Sequence, residues 1–121
     1  KIRKMVGGGM RQAGHLAAPG IISLKDLVNR LEKDHENAKY LAHHISQIEG
    51  IQVDESKIKT NILFFKLKGF DGNKFLEELE KKQIKILLTN NAEVIFRAVL
   101  HREVSKEQVE KVINTFKSIL D

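Results

Sequence analysis

A glycine-rich run near the start of the chain has the residue types best suited to holding an anion. It reads Lys4-Met5-Val6-Gly7-Gly8-Gly9-Met10-Arg11-Gln12-Ala13-Gly14, with three consecutive glycines between a lysine and an arginine. Glycine adopts backbone angles closed to other residues and leaves its N–H group unobstructed, so the run predicts a loop that holds a phosphate. Residues 10–18 are predicted to open a helix whose positive end faces the same anion. The alternative is a flexible loop beside a solvated cationic patch.

Arg97 is the second candidate, because it interrupts an apolar segment between Ile95-Phe96 and Ala98-Val99. The two-residue period of a strand places Arg97 on one face with Ile95 and Val99, which predicts a partly buried guanidinium. An unpartnered cation in such a place is costly. The residues alone leave two alternatives open, a structural salt bridge or a site that binds a carboxylate through two parallel hydrogen bonds.

The five histidines do not form the pattern of a metal site. His43 and His44 are adjacent and would point in different directions on a helix, and no two histidines stand four residues apart. His35 lies on the apolar face of a predicted helix. We therefore expect His35 to be a core histidine with a backbone or carboxylate partner.

The elements that must position these residues begin with helices. Spacings of three and four predict one face of a long helix, formed by Leu24, Leu27, Val28, Leu31, His35, Ala38, Leu41, Ala42, Ile45 and Ile48. Gly50 is expected to stop it. Pro19-Gly20 is expected to separate it from the shorter helix, since proline removes a helical hydrogen bond, so a kinked or broken pair is predicted.

The second half of the chain changes to the period of strands. Strands are predicted over 51–53 and 58–67 around an Asp54-Glu55-Ser56 turn, and over 84–88 and 94–100 around residues 89–92. The asparagines of that second connection are expected to tolerate the left-handed conformation. A helix over 73–83, with Asn73 as a possible cap, separates the two strand pairs.

Ser105 is predicted to cap the last helix while Gln108 reaches back to it, with Val104 packing on Val109. The order of helices and strands predicts an α+β fold, a small antiparallel sheet with helices packed on one face, preceded by a kinked N-terminal helical segment.

Composition favours one domain of 121 residues, 41% of them hydrophobic, with no cysteine. No apolar run has the length of a membrane helix or the layout of a signal peptide, so a cytoplasmic location is expected. The net charge of +5 is spread along the helices, and no basic stripe is interleaved with the six phenylalanines and one tyrosine. Nucleic-acid binding is therefore not favoured.

The glycine-rich run, extended from Arg3 to Leu16-Ala17-Ala18, closely resembles the segment after the cofactor lysine in threonine aldolases, a pyridoxal-phosphate family of fold type I. Three more blocks resemble that family in order across nearly the whole chain: Glu32-Lys33-Asp34-His35-Glu36-Asn37-Ala38, Thr60-Asn61-Ile62-Leu63-Phe64-Phe65, and Phe96-Arg97-Ala98-Val99-Leu100-His101-Arg102-Glu103-Val104-Ser105. Pro19 and Leu100 depart from the family pattern, where alanine and threonine are expected.

The resemblance implies cleavage of threonine or allo-threonine to glycine and acetaldehyde, with pyridoxal phosphate as the cofactor. Arg97 matches the arginine that binds the substrate α-carboxylate. The basic residues Lys4 and Arg11, with Gly7, Gly8 and Gly9, match residues near the cofactor phosphate, in an active site shared between two subunits. The family assembles as a tetramer, a dimer of dimers. His101 matches a family block and either shapes the substrate site or ends its strand. Thr60 and Asn61 match another block at a strand start and either position polar groups near the substrate pocket or serve as capping and turn residues.

The resemblance also shows what this chain lacks. It implies an upstream large domain that this chain does not span, with the lysine that forms the Schiff base, the aspartate that pairs with the pyridine nitrogen and the histidine that stacks on the ring. The chain is thus expected to be a C-terminal part, with residues 1–20 connecting from the large domain and 21–121 forming the small domain. Alone it is expected to be inactive and not to bind the cofactor. The alternative is a stand-alone, non-catalytic interaction domain.

Overall fold

The computed structural model describes residues 1–120, which belong to two compact units divided after Arg30. The first unit is helical. It contains α1 (Ile2–Met5), α2 (Gly14–Ile22), a π-helical stretch (Ser23–Leu27) and a 3₁₀ turn (Val28–Arg30). None of its residues is buried, so this unit has no core of its own.

Two helix predictions for this unit are wrong. The helix after the glycine run begins at Gly14, not at Met10. Pro19 does not break it, because α2 continues through that residue to Ile22. The carbonyl that loses its donor to Pro19 belongs to the exposed His15, where water can replace the missing hydrogen bond. The Ser23 hydroxyl donates to the Pro19 carbonyl at 2.9 Å, and the π-helical stretch starts there.

The second unit opens with α3 (Leu31–Ile45). Its buried face is formed by Asp34, Ala38, Leu41, Ala42 and Ile45. The predicted single face of one long helix is wrong in its first half, since Leu24, Val28 and Leu31 are exposed. The helix also ends before Gly50, which lies at φ +86° in the turn that follows.

Four strands form one antiparallel sheet in the order β1-β2-β4-β3. Their bounds are β1 (Ile51–Val53), β2 (Ile62–Leu67), β3 (Leu87–Asn90) and β4 (Ile95–Val99). The remaining helices are α4 (Gly72–Lys81) and α5 (Lys106–Leu120).

The alternation of buried and exposed side chains shows that one face of the sheet is covered. On β2, Leu63 and Phe65 are buried while Phe64 is 54% exposed, and on β4 Phe96 and Ala98 are buried. Since successive strand residues point to opposite faces, the covered face packs on the core and the other is open. This confirms the prediction of an α+β fold with helices on one face of the sheet. We call the uncovered face, which carries Phe64 and Arg97, the open face.

Four fully buried phenylalanines form the centre of the core. Phe75 of α4 lies 5.4 Å from Phe96 and 5.1 Å from Phe116, ring centroid to ring centroid. Phe65 stacks on Phe96 at 5.2 Å. Helices and sheet are therefore joined through one aromatic cluster that draws a residue from each of β2, β4, α4 and α5.

The strand boundaries differ from the predicted ones. A 3₁₀ turn (Glu55–Lys57) follows β1, and β2 starts only at Ile62. The Ser56 hydroxyl donates to Asp54 at 2.6 Å and is the main cause of the lowered pKa of Asp54. The turn before β2 is thus held by side chains.

The connection between β3 and β4 was also predicted incorrectly. Thr89 and Asn90 lie inside β3, and the left-handed residue is Val94 at φ +52°, not an asparagine. Asn90 contributes through its side chain, which accepts from the Glu93 N–H at 3.1 Å. Val94 is held in place because its carbonyl accepts from the Leu67 N–H at 3.0 Å.

The predicted N-terminal cap of α5 is confirmed, and the predicted cap of α4 is wrong. Ser105 and Gln108 form the predicted reciprocal pair, with the Gln108 side chain accepting from the Ser105 N–H at 2.7 Å. For α4 the cap is Asp71 and not Asn73. The Asp71 carboxylate accepts from the N–H groups of Asn73 and Lys74 at 2.8 and 2.9 Å.

Replacement of Asp71 by alanine is therefore expected to lower the free energy of unfolding by about 1 kcal/mol, the usual value for a lost N-cap. Asn73→Ala is the matched control and should change it by a few tenths of a kcal/mol at most. Urea denaturation of both variants measures the difference. Equal losses, or a larger loss in Asn73→Ala, would contradict the assignment of the cap.

Candidate functional site

Arg97 lies on the open face in the middle of β4. The strand register places Phe64 of β2 directly opposite it on one side and Leu87 of β3 on the other. Along its own strand the same-face neighbours are Ile95 and Val99. All four residues around Arg97 on this face are therefore apolar, as the sequence predicted for the two on β4.

The guanidinium of Arg97 has no counter-ion among residues 1–120. Its Nε atom is buried and has no hydrogen-bond partner there. Among the described residues it is the only buried side-chain nitrogen or oxygen atom without a partner. The two terminal amino groups keep access to solvent, since neither is buried. In the described part of the chain a structural salt bridge of Arg97 is thus not formed.

The glycine run forms the C-terminal cap of α1. Gly7 adopts the left-handed conformation at φ +85°, its N–H donates to the Lys4 carbonyl at 3.3 Å, and the Gly8 N–H donates to the Arg3 carbonyl at 2.7 Å. This pair of bonds is the Schellman arrangement. A Cβ at Gly8 would lie 2.8 Å from the Arg3 carbonyl oxygen, so that glycine is required by close backbone approach.

Two of the three glycine N–H groups are therefore engaged within the chain, and Gly9 is the glycine left to donate to an anion. The space around Gly9 is open, because a Cβ built there would meet no atom within 4 Å. Lys4 lies in the last turn of α1 and Arg11 lies in the turn before α2. Both side chains are exposed without an ion pair to any described residue. Their charges and the open backbone at Gly9 fit a phosphate group.

Thr60, Asn61 and His101 have structural partners. The Thr60 hydroxyl accepts from the Ile62 N–H at 3.3 Å, and the Asn61 side-chain amide donates to the Leu100 carbonyl. His101 Nδ1 accepts from the Glu103 N–H at 3.3 Å in the turn after β4. These contacts lie just before the start of β2 and just after the end of β4.

The prediction that His35 is a core histidine with a hydrogen-bond partner is wrong. His35 is half-buried without a described partner, and the buried polar residue of α3 is its neighbour Asp34, 4% exposed. Sequence reasoning missed Asp34, although its spacing to Ala38, Leu41 and Ile45 is that of a helix face.

His43 and His44 are occupied by local contacts. His43 Nδ1 lies 3.4 Å from a Glu55 carboxylate oxygen, and His44 Nδ1 lies 2.8 Å from the Tyr40 carbonyl oxygen. Within residues 1–120 no group of three or more histidine and acidic side chains could hold a metal ion. Among the same residues, no helix is both long enough and apolar enough to cross a membrane.

Known proteins resemble this chain over nearly all its length. The low specificity L-threonine aldolase of Escherichia coli K12 is 38% identical over 118 residues, which cover 98% of this chain and 33% of that protein. The low-specificity L-threonine aldolase 1 of Arabidopsis thaliana is 31% identical over 98% of this chain and 34% of its own length. The chain thus spans about a third of the length of these relatives.

A solved structure and a family model extend the comparison. The structure of MppP soaked with the product 2-ketoarginine superposes with a TM-score of 0.63 at 17% identity, over 82% of this chain and 30% of that one. This likeness concerns the fold. The model of the beta-eliminating lyase family matches residues 1–68, more than half of the chain. The chain belongs to the beta-eliminating lyase family.

Proposed function

We propose that this chain is the C-terminal part of a cytoplasmic, pyridoxal-phosphate-dependent threonine aldolase, which cleaves threonine or allo-threonine to glycine and acetaldehyde. The E. coli and Arabidopsis relatives are L-threonine aldolases, which supports this activity. The observation that carries the proposal is Arg97, a cation on the open face with a buried, unpartnered Nε and no counter-ion among the described residues. The carboxylate of an amino acid is a planar anion whose geometry matches such a guanidinium.

Arg97 would bind the α-carboxylate of the substrate and thereby orient the bond that breaks. When bound, pyridoxal phosphate supplies the electron sink for that cleavage. Holding the reacting parts in one geometry lowers the entropic part of the barrier, which is the contribution expected from a fixed carboxylate. The apolar residues around Arg97 offer no competing hydrogen-bond acceptor to its guanidinium.

Lys4 and Arg11 would bind the cofactor phosphate, with the Gly9 N–H as a further donor. Gly7 and Gly8 would act indirectly, since their N–H groups hold the end of α1. The lysine, aspartate and histidine that complete such a site would come from the two thirds of the relatives' length that this chain does not span. We assign residues 1–20 to the connection with that part and residues 21–121 to the small domain.

The proposal includes a homo-oligomer, a dimer of dimers in which the site is shared between subunits. The support is the surface of the first unit, where Ile2, Met5 and Val6 are 77–78% exposed. Exposed apolar residues of this number in a unit without buried residues are typical of an interface.

The first test is the mass of the longest product of the gene, followed by threonine cleavage and cofactor absorbance on addition of pyridoxal phosphate. We expect a chain about three times as long, which binds the cofactor and releases acetaldehyde. The 121-residue chain by itself is expected to show neither signal, because the attachment lysine is outside it. If this short chain is the whole product, the aldolase proposal fails and a binding role remains.

A further inference from the structure

Arg97 is flanked by one exposed apolar side chain on each neighbouring strand. Phe64 is 54% exposed and Leu87 is 49% exposed, yet the Nε atom between them is buried. Residues directly opposite each other in an antiparallel sheet have Cβ atoms about 4.5–5.5 Å apart. The two side chains therefore stand close to the stem of Arg97 and cover it from both sides.

We propose that Phe64 and Leu87 are positioning residues, which hold Arg97 so that its two terminal amino groups are presented to the substrate carboxylate. The inference rests on the proposed function, because it assigns these two residues to the same carboxylate site. Neither residue is needed for the core, since both lie on the open face away from the covered one.

Flanking side chains of this kind have two physical effects: they restrict the rotamers of Arg97, and they lower the dielectric constant around it. An arginine side chain loses rotamer entropy when it is fixed, and flanking side chains that already restrict it reduce the loss on binding. They also lower the local dielectric constant, which strengthens the attraction between guanidinium and carboxylate. The buried Nε is the cost of this arrangement, since its N–H has no acceptor among the described residues.

The flanking can be measured on the 121-residue chain by the solvent exchange of the Arg97 Nε–H in NMR, assigned by its loss in Arg97→Lys. We expect exchange slower than at the exposed Arg102, and about tenfold faster exchange in Phe64→Ala or Leu87→Ala. Ile62→Ala is the matched control on the same face of β2, opposite Val99 instead of Arg97. Exchange in the parent chain as fast as at Arg102, or unchanged exchange in both flank variants, would overturn the proposal.

Kinetics of the intact enzyme give the functional readout. Phe64→Ala is expected to raise the KM for threonine about fivefold to tenfold with little change in kcat, because it weakens carboxylate binding in ground and transition states alike. Phe64→Leu should restore most of the loss, as it keeps an apolar flank. Thermal unfolding should be nearly unchanged in all of these variants, which separates the effect from misfolding.

The two proposals fail in different ways. If Arg97→Ala leaves the KM unchanged, the carboxylate site itself is wrong and the proposed function loses its main support. If Arg97→Ala weakens binding but both flank variants keep the parent KM, the carboxylate site stands and the positioning role is overturned.

Discussion

Replacement of Arg97 by alanine is expected to lower kcat/KM of the intact enzyme for threonine by about a hundredfold to a thousandfold. A hydrogen bond to a charged group contributes about 1.5–3 kcal/mol, and the guanidinium can donate two to one carboxylate. Cofactor absorbance should persist, because the phosphate contacts are assigned to Lys4 and Arg11. Steady-state kinetics and the absorbance spectrum measure both parts of the prediction.

Two variants control this experiment. Arg97→Lys keeps the charge but not the planar fork, so an intermediate loss is expected. Arg102→Ala removes an exposed arginine from the turn after β4 and should leave the kinetics unchanged. The Tm of Arg97→Ala should not fall, because the buried Nε without a partner contributes nothing favourable to folding. Unchanged kinetics in Arg97→Ala would remove this residue from the site.

Replacement of Phe75 by alanine is expected to cost about 3–5 kcal/mol of the free energy of unfolding, a large share of the usual 5–15 kcal/mol of a domain. Phe75 is completely buried, and its ring contacts those of Phe96 and Phe116. The variant loses both the transfer free energy of the ring and the packing around the cavity that it leaves. Urea denaturation followed by circular dichroism gives the value.

Phe64→Ala is the matched control, because it removes the same ring from an exposed position of the sheet. Its expected cost is below about 1 kcal/mol. A similar loss in both variants would mean that the sheet has no open face, and would contradict the two-layer arrangement described above.

Much of the second unit could be predicted from local patterns. A strand over residues 62–67 was predictable, since this run lies within the β-branched and aromatic segment 58–67. The reciprocal cap of Ser105 and Gln108 was predictable because both partners lie within one helical turn. The neighbours of Arg97 along β4 were predictable because side chains two residues apart on a strand share a face.

Other features depend on contacts that local patterns do not contain. The apolar residues before Leu31 have the spacing of a helix face, but spacing does not say whether another surface covers them. On α3 four of the five buried residues are the predicted ones, but at the start of the helix Asp34 and not His35 lies towards the core. Similarly, Val94 takes a left-handed conformation unusual for a branched residue, in a turn held by sheet hydrogen bonds.

By itself the sequence determined the fold class and the presence of a cation among apolar strand residues, because these follow from periods of two to four residues. Only the tertiary structure decided that Phe64 and Leu87 are the residues on either side of Arg97, and that its Nε is buried without a partner. Strand order and register join residues distant along the chain. They are determined by the packing of the whole core and not by any local pattern.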